Sequence, residues 1–181
     1  IQVRTTRLAV ALGITQHVVS RLELAVAPGD QGMYEELVAL VVSSGADLGI
    51  GYDGDADRVG LVDGNGRVVW GDQLLAIAAA DLLTRKPGAK VIFEVKCSQA
   101  VPEWVLRHGG VPILWKTGHS LIKAKMKEEG ALLAGEMSGH MFFAEDWYGF
   151  DDALYASAKL ASIVADSGRS LAELVDVDDL V

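Results

Sequence analysis

Cysteine is nearly absent from this chain: Cys97 is the single one in 181 residues. One thiol cannot build an internal disulfide framework, so a reducing, cytoplasmic setting fits. Basic residues are also in deficit. Lys and Arg number 16 against 25 Asp and Glu, leaving a formal net charge of −9. That balance weighs against a nucleic-acid partner, which would call for a basic stripe. It still leaves room for a local cationic pocket around a phosphorylated metabolite. No apolar run reaches the roughly 18 residues of a membrane span, so no membrane partner is expected. Arg4 and Arg7 precede an apolar stretch from Leu8 to Ile14, which imitates a signal peptide, but no clean small-residue cleavage site follows. Internal repeats and low-complexity segments are missing too. Apolar residues, by contrast, make up 50% of the chain. That is enough for a sizeable core in one domain with some remainder.

Against this background one stretch stands out: Asp53-Gly54-Asp55-Ala56-Asp57-Arg58. Three carboxylates occupy alternate positions with only Gly and Ala between them, and an Arg follows. Like charges at this density repel unless a cation neutralises them. A hard divalent ion such as Mg²⁺ takes a few carboxylates plus a phosphate oxygen. The small spacers let the backbone curl so that alternate side chains converge. A solvated acidic turn is the bland alternative. The third Asp, the trailing Arg and the strand-like run Ala46 to Tyr52 just before it favour a metal loop.

Two motifs overlap this loop and fail. Gly49-Ile50-Gly51-Tyr52-Asp53-Gly54 satisfies G-x-G-x-x-G, but the glycines lead into three acids and a second β-like run. A dinucleotide site needs that turn to open a helix whose N-terminus faces pyrophosphate. The DxDxD spacing also resembles an EF-hand, which needs Gly at its sixth and Glu at its twelfth position. Arg58 and Gly64 stand there instead.

The periodicity from Met33 onward predicts an alternation of helices and strands. Met33, Leu37, Leu40, Val41 and Ser44 recur at helical spacing, with Gly45 as a stop. Leu48 to Tyr52 reads as a strand. Val59 to Val62 and Arg67 to Trp70 flank Asp63-Gly64-Asn65-Gly66, a hairpin signal. Helices are expected over Gly71 to Arg85, Ala100 to Arg107, Ser120 to Glu129, Asp151 to Val164 and Ser170 to Val175. Further strands are expected over Lys90 to Val95, Val111 to Trp115, Ala131 to Ala134 and Met141 to Ala144. Lys123, Lys125 and Lys127 are expected to point outward, and Leu154, Ala158, Ala161 and Val164 toward the core. Before Met33 no clear period emerges, and the expectation is helix and loop broken at Ala27-Pro28-Gly29-Asp30. The fold class that follows is α/β, a mixed sheet covered by helices, with the hairpin as its antiparallel part.

Several polar clusters fall just after predicted strands, where open α/β sheets bind ligands. Lys96 follows Val91 to Val95. Alone it reads as a solvated strand-end lysine; functionally it reads as a lysine with a pKa lowered by burial beside other cations, fit for acid/base work or an anion. His119, in Lys116-Thr117-Gly118-His119, reads either as a helix-capping histidine or as a titratable group near neutrality. Glu136 and Ser138 lie on the glycine-flanked loop Gly135 to His140. A carboxylate can accept from two adjacent hydroxyls at once, as in gripping a sugar diol, and the glycines permit close backbone approach.

Taken in order and spacing, Asp53 to Arg58, Val95-Lys96-Cys97, Lys116 to Ser120 and Gly135-Glu136-Met137-Ser138-Gly139-His140 resemble the α-D-phosphohexomutase superfamily. The form of the last motif resembles the phosphomannomutase/phosphoglucomutase branch. The resemblance covers roughly residues 33 to 165. It implies one α/β/α domain of a four-domain enzyme that moves a phosphoryl group between C1 and C6 of a hexose phosphate through a bisphosphate. It implies Asp53, Asp55 and Asp57 as Mg²⁺ ligands, with Arg58 beside the reacting phosphate. Lys96 and His119 are implied as the acid/base pair, and Glu136 and Ser138 as ligands of the sugar 3- and 4-hydroxyls, supported by His140. With C2 unread, glucose and mannose 1- or 6-phosphate would both be substrates.

The implied domain limits are 1–32 for an unmatched segment, 33–52 for the end of the second domain, 53–166 for the third, and 167–181 for a tail. A phosphoserine loop and a fourth-domain phosphate-binding loop find no counterpart in these residues. Either a partner chain supplies those parts, or the chain is a truncated or rearranged product that only binds Mg²⁺ and sugar phosphate. An unrelated Mg²⁺-dependent phosphatase with an Asp nucleophile is the remaining reading.

Overall fold

Strands buried on both faces decide how the layers assemble: Leu48–Tyr52 and Val59–Asp63 are buried at every residue. The computed structural model describes residues 22–26 and 32–175. It contains two four-stranded sheets. The first is built from β1 (Leu22–Val26), β2 (Leu48–Tyr52), β3 (Val59–Asp63) and β4 (Val68–Val69), in that order. β1 runs parallel to β2, while β2–β3 and β3–β4 are antiparallel. α1 (Gly32–Ser44) covers this sheet by burying Leu37 and Val41 against Ala46 and Val62. The approach is close because Gly49 has no side chain: a Cβ there would lie 2.4 Å from Val41 Cγ2.

The second sheet has the order β6-β5-β7-β8. Its strands are β5 (Lys90–Glu94), β6 (Val111–Trp115), β7 (Leu133–Gly135) and β8 (Met141–Phe143). β5, β6 and β7 are mutually parallel, and β8 returns antiparallel to β7. Successive side chains of a strand face opposite sides. Accordingly Ile92, Ala134 and Phe142 pack under α4 (His119–Glu129) with Ile122 and Met126. Val91, Phe93, Leu133, Met141 and Phe143 face the main core. That core is filled by α2 (Gly71–Arg85), α3 (Ala100–Arg107), α5 (Ala153–Ser167) and α6 (Leu171–Val175). Leu48, Ile50, Val59 and Leu61 of the first sheet join the same cluster, so one core spans both sheets.

α5 ties the two sheets together near the acidic loop. Its N-cap Asp152 accepts from Tyr155 N–H at 3.0 Å, satisfying one of the free donors of its first turn. Its first residue donates N–H to Ala56 O at 3.1 Å, and Ser157 shares a 2.5 Å hydrogen bond with Tyr52 OH.

The α/β architecture and nearly every predicted element from residue 33 onward match the structure. Three expectations need correction. Residues 22–26 form a strand rather than helix or loop; the alternation of Leu22, Leu24 and Val26 is the pattern an edge strand needs. The breaker at Ala27–Asp30 and the apolar stretch Leu8–Ile14 lie outside the described residues. Leu154 does not face the core: it is 60% exposed, and the buried stripe of α5 is Ala153, Ala156, Ser157, Leu160, Ala161 and Val164. Finally, Lys123 and Lys125 do not both project into solvent. Lys123 reaches Asp151 Oδ1 at 2.7 Å, and Lys125 lies over the Trp115 ring and pairs with Glu129.

Candidate active site

The acidic loop leaves β2 at its C-terminal end and turns sharply. Ala56 takes the left-handed conformation, φ 58°, a cost that a small residue bears more easily than a bulky one. Asp53 organises the turn from within. Its Oδ1 accepts N–H bonds from Asp57 and Arg58 at 3.2 and 3.1 Å, and its Oδ2 takes Arg58 Nε at 2.6 Å. Burial pushes the Asp53 carboxyl up, but those bonds and the Arg58 charge outweigh it and hold it below the usual range. Asp57 goes the other way. Burial and the neighbouring Asp53 and Asp55 carboxylates raise it, although His140 opposes them. One carboxylate oxygen from each of Asp53, Asp55 and Asp57 lies within 4.8 Å of the others. Asp57 Oδ1 is buried without a hydrogen-bond partner. An acceptor-only group left unsatisfied beside two more carboxylates suits a hard cation.

The other polar clusters meet this loop because β5, β6 and β7 are parallel and end on the same side. Lys96 follows β5, Thr117 to His119 follow β6, and Glu136 follows β7. The loop between β7 and β8 then crosses to the acidic loop. Arg58 and His140 form an antiparallel bridge, and Val59 N–H donates to Gly139 O at 3.1 Å. Gly139 is required there on two counts. Its φ is 97°, and a Cβ would sit 2.5 Å from Val59 O.

Within this cluster Glu136 is buried. Its Oε1 accepts Gly118 N–H at 2.6 Å, and its Oε2 accepts from Ser138 Oγ at 3.3 Å. His140 Nε2 lies 3.8 Å from the same Oε2. The His140 and His119 rings stack, 5.6 Å apart and tilted by only 14°. Lys96 differs from its functional expectation. Its side chain is 54% exposed, and the charge beside it is the Glu94 carboxylate at 3.7 Å rather than another cation. Cys97 is buried, which pushes its thiol up to about 12 and makes it a poor nucleophile.

Three residues of the site escaped the reading of the sequence. Glu94 is fully buried and joins three loops. It accepts Lys96 N–H and Thr117 Oγ1 on Oε2, at 3.0 and 2.5 Å, and Met137 N–H on Oε1 at 3.2 Å. A charged residue inside the apolar run Val91 to Val95 was the signal for it. Asp72, buried at the start of α2, accepts Ser98 N–H at 2.9 Å and so fixes the turn after Lys96. Asp151 lies 3.1 Å from His119 Nδ1 and 3.3 Å from His140 Nδ1. It follows Tyr148-Gly149-Phe150, where nothing in the local pattern marks an active carboxylate.

A two-faced parallel-rich sheet with polar loops gathered at its strand ends defines an α/β ligand-binding domain of the phosphohexomutase kind. A family model for phosphoglucomutase/phosphomannomutase, alpha/beta/alpha domain III, matches residues 70–179, and the chain belongs to that family. It is 51% identical over 142 residues to the phosphomannomutase/phosphoglucomutase of Pseudomonas aeruginosa, covering 78% of this chain and 31% of that protein. The corresponding protein of Pseudomonas syringae pv. tomato is 50% identical over 149 residues, covering 82% and 32%. A phosphoglucomutase/phosphomannomutase family protein from Burkholderia thailandensis, solved by X-ray crystallography, superposes with a TM-score of 0.76 at 44% identity. That match covers 83% of this chain and 33% of the other. The chain therefore spans about a third of the length of the relatives it matches. No helix among the described residues is long and apolar enough to cross a membrane.

Proposed function

We propose that this chain is the sugar-binding and metal-binding part of a phosphomannomutase/phosphoglucomutase, which moves a phosphoryl group between C1 and C6 of glucose or mannose phosphate through a bisphosphate. The observation that supports this most is the meeting of the acidic loop, the Lys96 turn, the Thr117–His119 turn and the Glu136–His140 loop at one sheet edge. In this reading residues 33–52 close the second domain and residues 53–166 make up the third, most of which the family match over residues 70–179 covers.

Asp53, Asp55 and Asp57 would hold Mg²⁺, consistent with their converging oxygens and with Asp57 Oδ1, which has no hydrogen bond and only the Arg58 Nε charge 3.7 Å away. A bound Mg²⁺ supplies positive charge to the transferring phosphoryl group, since such transfer depends mainly on positioning and charge stabilisation. Arg58 is oriented for the same task by its bond to Asp53. Glu136 Oε2 already accepts from one hydroxyl, that of Ser138, which is the interaction it would offer a sugar. His119 sits at the N-terminus of α4 with half its side chain open, fit to exchange a proton with a bound hydroxyl. Lys96 stands on the adjacent turn as its acid/base counterpart or as an anchor for a substrate phosphate. His140 backs Glu136. A phosphatase reading draws no support from the Glu136–Ser138 pair, which hydrolysis would not need.

The test is calorimetry on the isolated chain. Mg²⁺ should bind weakly, and more weakly still in Asp55→Asn. Glucose 1-phosphate should bind in the presence of Mg²⁺ and lose affinity in Glu136→Ala. Equal affinities in wild type and both variants would sink the assignment, and release of free phosphate would favour the phosphatase.

A further inference from the structure

We propose that Asp151 is a positioning residue that sets the tautomer of His119 and shares itself between His119 and His140. The proposal deepens the reading above, since it rests on His119 being the proton-exchanging group. The Asp151 side chain is only 7% exposed, and its two oxygens have different roles. Oδ1 is taken by Lys123 Nζ at 2.7 Å. Oδ2 is buried without a hydrogen bond and faces two imidazole nitrogens, His119 Nδ1 at 3.1 Å and His140 Nδ1 at 3.3 Å. Burial pushes this carboxyl up, but Lys123 and the His140 charge hold it below the usual range, so it is an ionised acceptor.

An ionised carboxylate oxygen can only accept, so whichever ring turns toward it must present Nδ1–H. A neutral imidazole with its proton on Nδ1 has a bare Nε2, which can take a proton from a ligand hydroxyl. His119 is half exposed, and two groups compete for its Nδ1, the Asp151 carboxylate at 3.1 Å, which calls for a proton there, and the Lys123 ammonium at 3.4 Å, which calls for a bare nitrogen. The carboxylate is the closer and oppositely charged of the two, and the shortest bond of Lys123, 2.7 Å, goes to Asp151 Oδ1 rather than to the ring. Oδ2 has lone pairs for both rings, and the stacked histidines place an Nδ1 each within 3.3 Å of it. Lys123 thereby gains a role too: it anchors Oδ1 so that Oδ2 stays aimed at the histidines.

The experiment reads the tautomer directly, without turnover, and so stands or falls independently of the mutase assignment. The isolated chain labelled with ¹⁵N-histidine is studied by long-range ¹H–¹⁵N correlation at a pH about two units above the ordinary imidazole value of roughly 6.5. In wild type His119 should be predominantly the Nδ1–H form. In Asp151→Ala that form should lose its majority, and Asp151→Glu should restore it in part. A dominant Nε2–H form in wild type overturns the proposal even if every variant fails to fold. An unchanged tautomer in a folded Asp151→Ala chain overturns it as well.

Discussion

Asp57 carries opposing demands, and they make it the most informative single residue to change. Burial and the carboxylates of Asp53 and Asp55 raise its pKa, so its ionised form is disfavoured in the folded chain. A raised folded-state value means that its contribution to stability is present below the ordinary carboxylate range and is lost as pH rises through that value. Near neutrality the charge therefore works against the fold. Asp53 and Asp151 have the reverse sign: their lowered values stabilise the fold above the ordinary range, and that stability is lost as pH falls through them. Asp57→Asn should accordingly raise the melting midpoint in EDTA at pH 7. It should also shrink the upward shift that millimolar Mg²⁺ gives the wild type, because a ligand that binds only the folded state stabilises it in proportion to its affinity. A lower midpoint in EDTA, or an equal Mg²⁺ shift, would refute this account.

At the scale of elements, α5 shows how a helix can mislead. Leu154, Ala158, Ala161 and Val164 are helically spaced, yet so are Ala153, Ala156, Ser157, Leu160 and Val164. In a helix that is mostly apolar both stripes are plausible from spacing alone. The tertiary contacts choose between them, since Ser157 must reach Tyr52 and Ala153 must reach Ala56. Leu160 is 1% exposed in the core, whereas Leu154 is 60% exposed. Leu160→Ala should cost about 2–5 kcal/mol through lost burial and a residual cavity. Leu154→Ala should stay within about 0.5 kcal/mol, as for other surface substitutions. Urea denaturation of both variants checks the pair. A similar loss in each would mean that the helix is rotated from its assigned orientation.

For the whole molecule the question is what these 181 residues do by themselves. On the proposed reading they supply a cation site, a sugar grip and a proton-exchanging pair, but among them is no recognisable serine loop to donate and recover a phosphoryl group. Losing a group that acts as part of a catalytic unit can cost many powers of ten in rate. The purified chain should therefore show no useful conversion of glucose 1-phosphate in a coupled assay for glucose 6-phosphate, even with glucose 1,6-bisphosphate added. Turnover abolished by Glu136→Ala would show that the chain is catalytically sufficient and that this account of the missing group is wrong.

The α/β class, the hairpin at Asp63–Gly66, the acidic loop and the polar strand ends were all legible in the amino-acid order. Each depends on local signals: period, turn residues, and side chains a few positions apart. Glu94, Asp72 and Asp151 were not legible as parts of the site, because what they do is set by partners far away in the chain. Glu94 reaches Thr117 and Met137, Asp72 reaches Ser98, and Asp151 reaches His119. The same holds for the orientation of α5, whereas Lys96 takes the solvated strand-end place that its position after Val91 to Val95 already allowed. Parallel strands bring distant loops to one edge only once the sheet has formed. The sequence alone thus determined which chemistry-bearing residues exist and on which elements they ride. Only the tertiary structure decided which of them meet, because burial and long-range hydrogen bonding are properties of the packed core.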